Sequence, residues 1–494
     1  MCIPCIRGSH WVDKKYEFMN EKGNTMKKSN LTFRVIVRIL LAATTTSLGF
    51  RIDAAAADSS SSKSGDLMAS QPMIVAELSM ARSSDYFARF AMNWMKESCG
   101  DPDWCEDCDL DRNGFVNFED LQLFCYGWLR DPGYLCIRWL MKQQNLSTGL
   151  VESYADNGDS NAWTYDQALA IIAFTETGEL QRAQMVLDRM RKLQAANLNR
   201  AWYECYLSND PDTICSQSYI TGPIAFVVIA VNYYEYITND PNYAPMARDA
   251  LSWLTKLRNV NPADERYGSI GYSSQLPNVI STEHNADAYS AFLWRGKLDH
   301  NQSYIEIAES ILDYLRIEMW APSSSSNGPY HNVNVFWRGF NDFDFCTDPQ
   351  TWTVLSLGSI GPSGEEFYKA LDWLWYNPYG STRVTNLQDF NIYICNVDGF
   401  KSCTWESDYI WIEGTEGAAT AYYSIGQNDK GDFLHKQMAR TFSSNKGLVH
   451  SFCESQPTMI SFPKNYRFEH IASVAWYFFN EVGINPFHPD SITK

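Results

Sequence analysis

The chain has 494 residues, which is more than one compact core usually holds, so at least two folded units are predicted. Its formal net charge is −18 at pH 7 and no cluster of basic residues stands out, which argues against nucleic acid as a partner. Aromatic residues make up 14% of the chain, enough to fill a large core and also to line a groove.

The first part of the chain has the order of a secretory signal. A basic stretch that begins at Met26 is followed by a mostly apolar run over residues 35–50 and by alanines at 54–57 that offer a cleavage site. We therefore predict a targeting region over residues 1–57, with the signal peptide at about 26–57. The protein is expected to be secreted, periplasmic or held at the cell surface.

The apolar run is a poor membrane span. Arg38 and the threonines at 44–46 interrupt it, and no other stretch of the sequence is long and apolar enough to cross a bilayer. No stable transmembrane span is therefore predicted. Residues 58–74 form a Ser-rich linker, whose composition offers too little apolar surface to fold.

The chain contains 13 cysteines, and some of them should form disulfides in an exported protein. Cys205 with Cys215, and Cys395 with Cys403, lie close enough in sequence to close short loops. The count stays odd after removal of the targeting region, so at least one thiol is free or pairs between chains. The CEDC motif at 105–108 suggests half a zinc site or a redox pair, but no second such motif follows, which disfavours both.

Residues 109–120 read DLDRNGFVNFED and match the EF-hand calcium loop. This spacing places oxygen ligands around one point, as a hard cation such as Ca²⁺ requires, and Gly114 allows the sharp turn inside the loop. The predicted ligands are Asp109, Asp111, Asn113, Phe115 through its main-chain carbonyl, and Asp120. An acidic turn that binds nothing is the simpler alternative.

The aspartate at the last loop position and the amphipathic segment DLQLFCYGWL after it resemble a dockerin type I repeat. Dockerins carry two loop–helix repeats, whereas here the earlier helix-like segment, DYFARFAMNWM at 85–95, has no calcium loop before it. The resemblance implies a calcium-binding module over residues 75–132 with a cohesin-like or cell-surface partner. With one loop absent, a calcium-stabilised cap or tether is the alternative.

Residues 133–488 are predicted to form a helical domain, in which apolar periodicity and helix breakers indicate about twelve helices. They lie near 135–143, 164–176, 179–195, 221–237, 243–258, 284–297, 302–318, 348–357, 363–378, 414–426, 429–441 and 468–482. Amphipathic helices alternate with helices that are apolar or small on all sides, so each hairpin should pair an exposed helix with a buried one. Six such hairpins close into a double ring, and the predicted fold is all-α, an (α/α)6 barrel.

This pattern resembles the six-hairpin glycosidase superfamily, and the resemblance implies an active site where the inner helices begin. Five of the six predicted inner-helix starts carry a carboxylate, usually beside Trp or Tyr. Each such acid alone is more often structural, because acids favour helix N-termini. A ring of acids and aromatic faces suits a carbohydrate, because two carboxyl groups cut glycosidic bonds and aromatic rings pack against sugars.

The predicted catalytic residues are acids at these helix starts. Glu283, in the segment STEHNADAYSAF, is the predicted general acid, and Glu416 or Glu413 in WIEGTEG is the predicted base. Asp166 is the third candidate. Hydroxyl binding and stacking on sugar rings are assigned to nearby residues, namely Trp163, Tyr165, Gln167, His284, Asn285, Asp287, Trp337, Asp348, Trp352, Trp411, Arg467 and Glu469.

These observations together predict an exported glycoside hydrolase that acts on a poly- or oligosaccharide, with no cofactor for the catalytic step. Two alternatives remain. His284 and His470 each follow an acid at an inner-helix start, and a histidine base would suit a polysaccharide lyase or a sugar epimerase on the same fold. A barrel without catalysis would instead be a glycan-binding surface protein.

Overall fold

The computed structural model describes residues 92–99, 105, 115–117, 132–155, 158–322, 333–376, 382–387, 397–406, 409–439, 441, 451–452 and 469–488. Within these ranges, twelve α-helices are joined by short strands. The helices are α1 Pro132–Gln143, α2 Thr164–Glu176, α3 Leu180–Ala196, α4 Thr221–Thr238, α5 Ala244–Thr255, α6 Thr282–Leu298, α7 Gln302–Tyr314, α8 Thr347–Leu357, α9 Lys369–Tyr376, α10 Ile412–Ser424, α11 Asn428–Ala439 and α12 Ile471–Val482. None of these helices is long and apolar enough to cross a membrane.

The strands are short and pair only in an antiparallel sense within the same ranges. They are β1 Asn161–Trp163, β2 Cys205–Leu207, β3 Ile214–Ser216, β4 Trp320–Ala321, β5 Val335–Phe336, β6 Arg383–Leu387, β7 Val397–Phe400, β8 Ile410–Trp411 and β9 Ser451–Phe452. The first three form one sheet, and the others form three two-stranded ribbons. Two of these strands, β1 and β8, lead directly into helices, so the sheets serve to position helix starts.

The helices form two concentric rings. The even-numbered helices make the inner ring, in which each packs against the next and α12 packs back against α2. Helices α3, α5, α7, α9 and α11 each pack outside the inner helix that precedes them, and α1 packs against α12 to complete the sixth hairpin. The predicted all-α (α/α)6 barrel is confirmed.

The division into inner and outer helices follows from composition. Helix α4, TGPIAFVVIAVNYYEYIT, is apolar around its circumference through its first thirteen residues, and most of these are fully buried. Helix α7 instead buries one stripe, which includes Ile307, Ala308 and Ile311, while Glu306 and Glu309 are exposed. Because apolar surface is removed from water on both sides of an inner helix, only helices such as α4 can occupy that ring.

A repeated threonine fixes where the inner helices begin. Four of them start with Thr, whose hydroxyl donates to a main-chain carbonyl of the loop before the next inner helix. The donors are Thr164, Thr221, Thr282 and Thr347, and the acceptors, in the same order, are Tyr203, Gly271, Trp337 and Lys401. These bonds tie neighbouring hairpins together at one end of the barrel and satisfy polar groups that are fully buried.

A second repeat, three residues later, uses a side-chain amide. Gln167, Asn285 and Gln350 each donate to and accept from the backbone of one residue, at distances of 2.7 to 3.0 Å. All three side chains are fully buried. Gln167 and Asn285, which sequence reasoning assigned to sugar hydroxyls, therefore have their amide atoms engaged by the protein, and we assign them a structural role.

The described residues contain three disulfides. Cys205–Cys215 is the predicted pair. Cys403, however, pairs with Cys346 rather than with the predicted Cys395, which lies outside the described residues. The reason is that Cys346, which precedes α8, lies antiparallel to Cys403, with the two Cα atoms 4.0 Å apart. The third pair, between residues 99 and 105, links two of the cysteines that crowd the region before α1.

The two disulfides of the barrel should differ in their effect on stability. The bond between Cys346 and Cys403 spans 57 residues and the bond between Cys205 and Cys215 spans 10, so loop-closure entropy predicts losses of about 4 and about 3 kcal/mol on removal. We expect the Cys346→Ser/Cys403→Ser protein to unfold at lower urea concentration than the Cys205→Ser/Cys215→Ser protein. The reverse order would show that local packing outweighs the loop length.

Candidate active site

Three acids occupy equivalent positions on neighbouring inner helices. Glu283, Asp348 and Glu413 are each the second residue of α6, α8 and α10, which are consecutive in the ring. Because the inner helices run parallel, their starts share one end of the barrel, which we call the mouth. The same position of the other inner helices holds an uncharged residue, namely Tyr165, Gly222 and Ala472. At this position the acids therefore lie on three neighbouring helices of the ring.

Glu283 and Asp287 lie one turn apart on α6. Burial raises the pKa of Glu283 to about 7, and burial together with the charge of Glu283 raises the pKa of Asp287 well above its usual range. Asp287 is 2% exposed, and its Oδ1 accepts no hydrogen bond. A Cβ at Gly222 would lie 2.8 Å from His284 Nε2 and 3.0 Å from Asp287 Oδ2, so only glycine lets α4 approach these side chains.

Asp348 responds electrostatically to the other acids of the mouth. Burial raises its pKa well above the usual range, and the charges of Glu283, Glu413 and Asp287 raise it further. Its Oδ1 is also buried without a donor. The acids on α6, α8 and α10 thus form one interacting group, in which ionisation of one disfavours ionisation of the next.

Glu413 is held by two aromatic side chains. The Tyr165 hydroxyl donates to Glu413 Oε1 at 2.7 Å, and the Trp476 indole N–H donates to the Tyr165 oxygen at 2.9 Å. Helices α2 and α10 are separated by α12 in the ring, so this contact crosses the front of α12. The chain of two bonds fixes the position of a carboxyl group that is only 7% exposed.

Two opposing influences set the protonation of Glu413. Burial raises its pKa to about 7, although His470 and the bond from Tyr165 both lower it. His470 itself is buried, which lowers its pKa, but Asp166 and Glu413 raise that pKa by more. His470 Nε2 lies 3.4 Å from Asp166 Oδ2. Asp166, predicted as a catalytic candidate, is thus placed as the partner of His470.

Glu416, one of the two predicted bases, does not reach the mouth. It is fully buried, and its Oε2 accepts from Asn480 Nδ2 at 2.6 Å and lies 2.9 Å from His435 Nδ1 on the outer helix α11. His435 Nε2 lies 2.9 Å from Glu481. Burial lowers the pKa of His435, but the two glutamates raise it to about 9. Of the two predicted bases, the geometry therefore retains Glu413.

Of the aromatic residues predicted to bind sugar rings, some lie in the barrel core and others are partly exposed. The rings of Trp352 and Trp476 lie 4.8 Å apart, and both contact the buried ring of Phe487, so they belong to the barrel core. Trp337 is buried against Phe343 and other rings, away from solvent. Partly exposed positions are held by Trp163 and Trp411.

The remaining predicted ligands have varied surroundings. His284 stacks on Tyr272 with ring centroids 4.7 Å apart, and its buried Nδ1 has no partner. Burial lowers the pKa of His284 to about 4, so the ring is neutral. Glu469 accepts a hydrogen bond from the Trp139 indole and is nearly buried. Arg467 lies outside the described residues.

Sequence reasoning missed two residues that the structure brings to the site. Trp476 lies inside an apolar run of α12 and reads as core, yet its N–H supports Tyr165. Glu406 lies in a loop rather than at a helix start, but its charge raises the pKa of Asp348. A usable signal was the recurring pattern T-x-x-Q/N, which opens α2, α6 and α8 and so marks equivalent positions in the ring.

Comparison with known proteins identifies the fold. No family model matches the sequence, and no curated protein matches it. A solved wild-type glycosidase superposes with a TM-score of 0.51 at 10% sequence identity, covering 71% of this chain and 96% of the glycosidase. A D-mannose isomerase superposes with a TM-score of 0.51 at 10% identity, covering 72% of this chain and 96% of the isomerase. The chain therefore has a six-hairpin glycosidase-like fold.

Proposed function

We propose that the protein is a glycoside hydrolase in which Glu283 and Glu413 are the carboxyl pair. The observation that carries this proposal is that both glutamates stand at the mouth with pKa values of about 7. Near neutral pH one of them can therefore hold a proton while the other is ionised. That is the condition for cutting a glycosidic bond with two carboxyl groups.

The surroundings of the two glutamates favour different roles. The hydrogen bond from Tyr165 and the positive charge of His470 both stabilise the anion of Glu413, which suits a base. Burial raises the pKa of Glu283, and a carboxyl group that keeps its proton to a higher pH suits the role of general acid. Glu283 protonates the leaving oxygen, and Glu413 removes a proton from the attacking water. Asp287 and Asp348, protonated through burial, contact sugar hydroxyls.

The test is a panel of neutral oligo- and polysaccharides incubated with the protein, followed by product analysis. The proposal expects new reducing ends and shorter saccharides. A 4,5-unsaturated product would show a lyase instead, and saccharide binding without turnover by the wild-type protein would leave a glycan-binding protein. Either result would overturn the hydrolase assignment.

A sugar isomerase or epimerase is the second candidate. The neutral, partnerless Nδ1 of His284 supports it, because a free imidazole nitrogen can remove a proton beside a carbonyl group. Incubation with free reducing sugars in D₂O separates the two candidates. Deuterium at C2 of the sugar, lost in His284→Ala but kept in Glu283→Gln, would favour the isomerase.

Removal of the Tyr165 hydroxyl should shift the pH dependence of hydrolysis. Its bond to Glu413 lowers the pKa of that carboxyl, so in Tyr165→Phe the pKa of Glu413 rises and the acidic limb of the kcat profile moves to higher pH. We also expect kcat to fall about tenfold, within the usual range for a positioning hydrogen bond to a charged group.

The matched control for this variant is Tyr233→Phe. Tyr233 donates to the buried Glu176, far from the mouth at the other end of α2 and α4. That variant removes the same kind of bond, so it should lower stability and leave the pH profile unchanged. An unshifted acidic limb in Tyr165→Phe would contradict the assigned role of the hydroxyl.

We further propose that the segment at 109–120 binds Ca²⁺ and that the protein is exported. Phe115, the only predicted ligand among the described residues, pairs through its backbone with Glu97 and is 49% exposed. Three disulfides in the described residues suit an oxidising compartment. We also propose that this dockerin-like module binds a cohesin-like or cell-surface partner. Calcium should raise the unfolding temperature of the wild-type protein but not that of Asp109→Ala/Asp111→Ala.

A further inference from the structure

A short loop is fixed against the start of α8. In this segment, residues 402–406, the Ser402 carbonyl accepts from the Thr347 amide at 2.7 Å, and the Thr404 amide donates to the Phe345 carbonyl at 2.9 Å. The disulfide from Cys403 adds a covalent link on the same side. Because Asp348 directly follows the paired residues, the 402–406 segment lies beside the middle acid of the mouth.

Glu406 is the last residue of this segment, and only one of its two carboxyl oxygens accepts hydrogen bonds. Its Oε2 accepts from the hydroxyls of Ser402 and Tyr409 and from the Cys403 amide. Its Oε1 has no donor, although the side chain is only 4% exposed. A buried acceptor without a donor is unfavourable in the free protein, so a ligand that brings a hydroxyl to Oε1 relieves that cost.

Trp405 directly precedes Glu406 in the sequence and is 54% exposed. By comparison, Trp352 and Trp476 in the barrel interior are only 2% and 0% exposed. An exposed indole offers a flat apolar face, and the neighbouring carboxyl oxygen offers an acceptor. A sugar ring matches this pair, because its faces carry C–H groups and its edge carries hydroxyl donors.

We propose that Trp405 and Glu406 form an additional sugar-binding subsite that adjoins Asp348. Continuity with the mouth identifies the occupant as a further ring of the saccharide whose scissile bond lies between the carboxyl pair. The substrate is then a chain of several uncharged sugars rather than a free monosaccharide. This inference rests on the proposed glycoside hydrolase function for the identity of the ligand.

The test measures binding separately from cleavage. In a Glu283→Gln background, titration calorimetry gives Kd for neutral tetrasaccharides of glucose, mannose and xylose and for the corresponding disaccharides. Trp405→Ala should weaken tetrasaccharide binding about tenfold, the equivalent of about 1.4 kcal/mol, and change disaccharide binding less than twofold. Trp405→Phe keeps an aromatic face and should recover most of the affinity.

The control is Ile360→Ala, which truncates a residue that is 53% exposed in the loop between α8 and α9, at the opposite end of the barrel. It should leave both dissociation constants unchanged. Equal weakening of both ligands by Trp405→Ala, no weakening of either, or no binding of any tetrasaccharide would overturn the subsite. A tetrasaccharide that binds through Trp405 but is not cleaved by the wild-type protein would overturn only the hydrolase assignment.

Discussion

Replacement of Glu413 by glutamine is expected to lower kcat for glycoside hydrolysis about 10²- to 10⁴-fold, the range that a general base contributes. The same change at Glu416, one turn further along α10, should leave kcat within about threefold, because its carboxyl is bonded to Asn480 and His435 instead of facing the mouth. The pair of variants is matched in helix, residue type and burial. For both variants, kcat is measured from initial rates with an oligosaccharide that the wild-type protein cleaves.

The Glu416→Gln protein should instead lose stability. His435 has a pKa of about 9 in the folded protein, against about 6.5 for an unperturbed histidine. Because the folded value is raised, the pair with Glu416 stabilises the protein fully below about pH 6.5, and this contribution is lost as pH rises through about 9. We expect that pH dependence to weaken in Glu416→Gln. An inactive Glu416→Gln protein with wild-type stability would reverse the two assignments.

The sequence alone could not decide whether Glu413 or Glu416 faces the mouth. The apolar periodicity of α10 predicts a buried helix. Because every side of a buried helix contacts a neighbour, periodicity does not tell which of its residues face the barrel axis and which face the outer ring. What separates the two glutamates is the identity of distant contacts. Tyr165 lies 248 residues from Glu413, and Asn480 lies 64 residues from Glu416.

The architecture itself could be predicted because it depends on repeated local patterns. All twelve helices lie where periodicity placed them, and the largest difference is at α9, which begins at Lys369 rather than near 363. The preceding loop contains Gly364 at a φ of +89°, a conformation that ends regular helix. Gln167 and Asn285 were misassigned for a different reason. Polar residues near a helix start look alike whether they bind a ligand or the neighbouring loop.

The asymmetry of the mouth was also beyond the reach of sequence reasoning. Counting acids at helix starts gives a nearly complete ring, but at the second helix position only α6, α8 and α10 carry an acid. The position of Gly222 on α4 is covered by His284 and Asp287 of α6, which approach too closely for any side chain there.

Replacement of Glu283 by glutamine should reduce kcat by an amount that depends on the leaving group. A general acid matters most when the departing oxygen is basic, so we expect a loss of about 10²- to 10⁴-fold for oligosaccharides. An aryl glycoside of the same sugar with an acidic phenol as leaving group should lose far less. The exposed Glu306→Gln on α7 is the control and should match the wild-type protein on both substrates.

The pH profile of the same variant tests the electrostatic coupling across the mouth. In the wild-type protein, activity should fall as pH rises through about 7, because Glu283 acts in its protonated form. Glutamine does not titrate, so this basic limb should disappear. The charge of Glu283 also raises the pKa of Glu413, and its removal should move the acidic limb to lower pH. A basic limb that persists in Glu283→Gln would assign the proton donor to another carboxyl, and Asp348, which feels the charges of both glutamates, would then be the acid to replace.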